Sequence, residues 1–124
     1  MGFDGAYNIS QLTGFPFQHG LANIYRLDRR GNLTVYASGL TNVTDLAFNG
    51  RTLYAVQIST EGLLTTGPIG SVVKVKPGGT APGDHTPVAA GLFAPYGIAI
   101  KGNSAYVTTG AVAADAGQVI KIRL

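Results

Sequence analysis

The side chains best suited to chemistry lie in two segments, "GLTNVTDLAF" (39–48) and "TGFPFQHG" (13–20). Asn42 and Asp45 are oxygen donors three positions apart, at the head of an apolar run. Amide and carboxylate oxygens of this kind are the ligands a calcium ion takes. The structural alternative is a tight turn in which Asp45 accepts backbone N–H groups. Asp45 is thus the single candidate metal ligand, and calcium the only cofactor that enters; otherwise none is expected. In the second segment, Phe15, Phe17 and His19 form either a binding loop or a pair of rings packed over a neighbouring sheet. His19 has no evident Ser, Cys or Asp partner, so no catalytic residue is assigned. His85, in the polar turn "PGDHTP", is expected in solvent. No GxSxG, phosphate-binding glycine loop or HExxH occurs. The absence of cysteine excludes thiolate chemistry, disulfides and cysteine-held zinc.

The composition describes what must hold these residues. Of 124 residues, 45% are hydrophobic and only 12% charged, enough to bury a core and too apolar for disorder. Eighteen glycines punctuate short apolar runs, the habit of an all-β chain with many turns. The net charge of +3 reflects scarce acids, since the nine Lys and Arg are scattered apart from Arg29-Arg30. No nucleic-acid groove follows from that pattern. No apolar run is long enough for a membrane helix, so neither nucleic acid nor membrane is expected as a partner.

The chain echoes itself. "GLTNVTDLAFNGRTLYAVQI" (39–58) returns in diluted form as "GLFAPYGIAIKGNSAYVTTG" (91–110). Gly39 meets Gly91, Ala47 meets Ala99, Gly50 meets Gly102 and Tyr54 meets Tyr106. "SVVKVK" (71–76) matches "QVIKIR" (118–123), and "NIYRLD" (23–28) is a third copy. Ile24, Val72 and Val119 then share one slot, and Arg26, Lys74 and Lys121 another; Tyr7 is placed in the slot of Tyr54 and Tyr106. Each unit reads as four short strands, of which the first is 44–48 or 96–100. The second is 6–12, 52–58 or 104–110, the third is of the "VVKVK" kind, and the fourth is 33–40 or 86–92. "RRGN", "NG", "PGGTAPGD" and "KGN" separate them. Four antiparallel strands repeating about every 50 residues are the mark of a β-propeller blade.

The expected fold is therefore all-β, with about three incomplete propeller blades at 5–40, 41–92 and 93–124, forming one partial propeller. The first lacks a clear first strand and the last lacks a fourth. In a propeller, the loops after fourth and second strands share one face. That face would gather Asn42, Asp45, Phe93 and Tyr96 from one set, and Phe15, Phe17, His19, Glu61 and Asp115 from the other. Gly97 stands in the last unit where Asp45 stands in the middle one and offers no ligand.

Taken together, the stretch 11–58, the loop "TEGLLTTGPIGSVVKV" and the ending "PYGIAIKGNSAYVTTGAVAADAGQVIKI" resemble the C-terminal part of the ScyD/ScyE family, bacterial proteins named after scytonemin-biosynthesis clusters. "LTGFPF" and "GLTNVTDLAF" are its most specific blocks. The resemblance implies half of a six-bladed propeller of the NHL and SMP-30-like kind, in an exported or periplasmic setting. The start "MGFDGAYNIS" carries no signal-peptide pattern. Some related propellers are metal-dependent lactonases and others only bind partners. Two readings follow. One is a non-enzymatic module that associates with itself, most simply as a homodimer, or with a missing N-terminal half. The other is a hydrolytic propeller with calcium near Asn42 and Asp45.

Overall fold

The computed structural model describes residues 5–124. It is all-β, with three antiparallel sheets taken in chain order and only one short 3-10 turn at Pro82–Asp84. The first sheet contains β1 (Tyr7–Ser10), β2 (Ala22–Leu27) and β3 (Leu33–Leu40). The second contains β4 (Val43–Asn49), β5 (Thr52–Gln57), β6 (Ile69–Lys74) and β7 (Thr86–Phe93). The third contains β8 (Ile98–Lys101), β9 (Ser104–Thr109) and β10 (Gln118–Arg123). Every sheet is an up-and-down meander, so the three are propeller-like blades that do not close a ring. Among the described residues no helix is long and apolar enough to cross a membrane.

Strand alternation explains the layering. In β5 and β6, Leu53, Ala55 and Val73 point to one side and, with Val75 just beyond β6, pack with Ala22, Ile24, Ala37 and Leu40 of the first sheet. Tyr54, Val56 and Val72 point to the other side and pack with Ala105 and Val107 of the third. A strand of continuous burial, such as β5, is what a sheet covered on both faces requires. Each fully buried Val or Leu here contributes roughly 1.5–3 kcal/mol relative to exposure. Lys74 and Lys121 are exposed beside buried or half-buried neighbours, as the alternation in "VVKVK" and "VIKIR" predicts.

Some expected boundaries and slots move. β6 begins at Ile69 and ends at Lys74, since its ladder with β7 runs from the Ile69–Phe93 pair to the Lys74–Thr86 pair, with the irregular extra residues on the β7 side. Val75 leaves the strand but still donates its N–H to the Leu53 carbonyl. Tyr7 does not share the slot of Tyr54 and Tyr106. Tyr54 pairs with Lys74 and Tyr106 with Lys121, whereas the partner of Arg26 is Asn8. Tyr7 is one residue out of phase and therefore lies on the opposite face.

Turns are held by carboxylates. Asp28 Oδ1 accepts the N–H groups of Arg30 and Asn32 at 2.9 and 2.8 Å. Asp84 Oδ2 accepts those of Thr80 and Ala81 at 2.9 and 3.0 Å. The Asn32 backbone bond holds the Asp28 carboxyl below its ordinary 3.8, and the Thr80 and Ala81 N–H groups do the same for Asp84. Folded-state depression means that each turn's contribution is fully present above 3.8 and is lost as pH falls through the lower folded value. Carboxyl titration by NMR is expected to place both midpoints below 3.8; values at or above it would remove these bonds from solution.

Candidate functional site

The loops after second and fourth strands meet at one end of the sheets, as in a propeller. Asn42, in the β3–β4 connection, is their hub. It is fully buried and adopts φ +44, a left-handed conformation that Asn tolerates better than most residues. Its Nδ2 donates to the Leu12 carbonyl at 2.8 Å and contacts Thr13 Oγ1 at 3.4 Å. Its Oδ1 accepts the Leu63 N–H at 3.1 Å, and its carbonyl accepts the Ile58 N–H at 3.0 Å. One side chain thus ties the β1–β2 loop to the β5–β6 loop. Both amide atoms are engaged with the chain itself.

Asp45 joins the second and third sheets. Oδ1 accepts the N–H of Leu46 and Oδ2 that of Ile98, each at 2.9 Å. Nearby, Thr44 Oγ1 donates to the Tyr96 carbonyl at 2.7 Å. The backbone-accepting geometry weighed for Asp45 is therefore present, although the N–H groups come from its neighbour and from the next sheet. Among the described residues, no three His, Cys, Asp or Glu side chains converge where an ion could sit.

The remaining candidates line the same end. Phe15 is 80% exposed, so its ring does not pack over the adjacent sheet. Phe17 is half-buried and meets Phe15 edge-on, centroids 6.4 Å apart and planes 76° apart. The intervening Phe15-Pro16 peptide is cis. His19 Nε2 lies 3.7 Å from Glu61 Oε2, an exposed pair that joins the two loops Asn42 clasps. Phe93 and Tyr96 are exposed on the β7–β8 side. An open groove of roughly 440 Å³ runs along Gln11, Thr13, Phe15, Gln18 and Asn23. Asp115 sits in the exposed β9–β10 loop with φ +57.

His85 is not in solvent. It is buried beneath the turn that follows β6, where its Nδ1 accepts the Lys76 N–H at 3.1 Å. Its Nε2 lies 2.7 Å from the Ser38 carbonyl and donates to it, since the other nitrogen is the acceptor. Beside it, a small cleft of about 100 Å³ is lined by Thr41, Gln57, Thr60 and Ser71. The four form one chain of hydrogen bonds: Gln57 Nε2 and Thr60 Oγ1 both donate to Ser71 Oγ at 3.0 Å, and Gln57 Oε1 accepts the Thr41 N–H at 2.7 Å. Sequence reasoning passed over this network because Gln57 and Ser71 adjoin valines inside β5 and β6, while Thr41 and Thr60 lie in the connections outside them. That pattern marks a core, and nothing local reveals that they face one another.

The arrangement is built from hydrogen bonds that fasten loops and sheets, with exposed aromatic rings at its rim. No family model, no curated protein and no solved structure matches the chain.

Proposed function

We propose that the chain is a non-enzymatic blade module that associates with itself to complete a propeller ring and offers its loop end as a binding surface. The observation that carries this reading is the state of the two outermost faces. Tyr7, Ile9, Leu33 and Val35 stand exposed on the outer side of the first sheet, and Tyr106 and Val119 on that of the third. Repeat units bury such faces against neighbours, and a contiguous apolar patch of this kind marks an interaction surface. The resemblance to ScyD/ScyE proteins supports a ring of six blades, which two copies would supply. Phe15, Phe17, His19, Phe93 and Tyr96 would then rim the end of the assembled ring, with Asn42 and Asp45 holding their loops in place.

The test is the absolute mass in solution, by light scattering after gel filtration. A discrete oligomer, with two copies the simplest case, is the expected result. A monomer that stays soluble at tens of micromolar would overturn the reading.

A further inference from the structure

The two contacts inside the chain follow one rule. Each uses the front face of an earlier sheet and the back face of the next. Ile24 on the first sheet's front packs on Ala55 and Val73 on the second sheet's back. Val72 on the second sheet's front packs on Ala105 and Val107 on the third sheet's back. The slots correspond, because Ile24, Val72 and Val119 are equivalent positions of the repeat. Ile24 and Val72 are 0% exposed, whereas Val119 is 67% exposed.

Registers identify what else lies on the bare faces. Ala99 opposes Tyr106, which opposes Lys121, and Val119 opposes Thr108, so these five form the third sheet's front. Tyr7, Leu27 and Leu33 lie in one row, and Ile9, Tyr25 and Val35 in the next, forming the first sheet's back. Ile9 holds the place that Ala55 holds in the second sheet, and Tyr25 that of Val73. The chain therefore carries, uncovered, both halves of the contact it makes twice within itself.

We propose that a second copy of this chain covers both faces head to tail. This rests on the self-association reading above. The back of the first sheet in one copy seats on the front of the third sheet in the other, and the same contact forms again across the two-fold axis. Two further arguments select this pairing over like faces. Joining front to front would set Lys121 and Arg123 of both copies against each other, a like-charge contact that association disfavours. Joining back to back would leave Val119 and Tyr106 bare in both copies. A heterologous contact that closes gives a ring without free faces.

The experiment compares Val119→Asp on the front with Ile9→Asp and Val35→Asp on the back. All three positions are exposed within the chain, so the variants test association rather than folding, and far-UV circular dichroism verifies the fold of each. Val112→Asp, in an exposed loop on neither face, is the control. The expected result is that Val119→Asp, Ile9→Asp and Val35→Asp are each monomeric, while Val112→Asp keeps the parent mass. An equimolar mixture of Val119→Asp and Ile9→Asp retains one intact contact, from a good back and a good front. It should form a heterodimer, with the midpoint raised by about 10²–10⁴-fold because the second contact no longer closes the ring. If either a front or a back variant alone keeps the parent mass, like faces pair and the proposal fails. It also fails if the mixture stays monomeric throughout that range. A monomeric parent chain would instead remove the self-association reading itself.

Discussion

Replacing Asn42 by alanine is expected to lower the unfolding free energy by about 2–4 kcal/mol, the sum of a lost pair of buried hydrogen bonds and a small cavity. The Leu12 carbonyl and the Leu63 N–H would each lose the partner that the fully buried Asn42 side chain supplies. Asn42→Asp separates the two bonds. One carboxylate oxygen still accepts the Leu63 N–H, but the other faces the Leu12 carbonyl, acceptor against acceptor, where Nδ2 had donated at 2.8 Å. A buried charge without a cation adds to that cost, so the aspartate variant should be no more stable than the alanine variant at neutral pH. Asn42→Gly relieves the φ of +44 yet restores neither bond, and should recover only part of the loss. Urea unfolding of the four proteins gives the order, and amide exchange at Leu63 reports the clasp directly. If the alanine variant lies within about 0.5 kcal/mol of the parent, the spread of an ordinary surface change, Asn42 does not hold the loops together.

The same residue shows which parts of the structure were legible in the sequence. The ten strands and their grouping into sheets followed from alternation and from the internal echo, because burial on both faces imposes a simple pattern of apolar positions. Asn42 and Asp45 were picked out by side-chain type, and both do sit at the loop end. Their partners were not readable. Leu12 and Leu63 lie 30 and 21 positions from Asn42, and Ile98 lies 53 from Asp45; no local pattern announces such pairs. One signal was available. Asn42 and Ala94 follow the aligned Gly-Leu pairs at the same distance, and both adopt φ +44. The backbone demands that conformation in both units, while the amide clasp exists only in one.

Two errors have similar causes. Tyr7 was matched to Tyr54 by residue type, but a strand's face is set by register, and a slip of one residue reverses it. The partner of Arg26 across the ladder, Asn8, fixes the phase. His85 was assigned to solvent because its neighbours in sequence are Gly, Asp, Thr and Pro. Its surroundings come instead from Ser38, on the outer strand of the preceding sheet. Polar turns are exposed on average; this one folds back over β3, with Gly79 accepting the Ser38 N–H at 2.8 Å.

That fold-back gives the second large effect, a difference between two glycines in one repeat slot. Gly39 and Gly91 both adopt positive φ, +79 and +68. Alanine at either position carries the left-handed penalty of roughly 1–2 kcal/mol. At Gly91 a Cβ would meet nothing within 4 Å, so Gly91→Ala should cost that much and no more. At Gly39 the Cβ would fall 2.6 to 2.8 Å from the backbone of Ala81 and Thr80. Those are main-chain atoms, pinned by the two N–H groups that Asp84 holds and by His85 beneath. Forcing them apart adds about 1–3 kcal/mol, as overpacking does, for a total of roughly 2–5 kcal/mol. Urea midpoints at constant slope measure both variants on one scale. Ala81→Gly should not rescue Gly39→Ala, because the offending atoms remain when the Ala81 side chain is removed. Rescue, or equal losses at the two glycines, would mean that the 76–85 turn gives way. The repeat preserves the backbone conformation at this slot in both units, but it does not preserve what lies beside it.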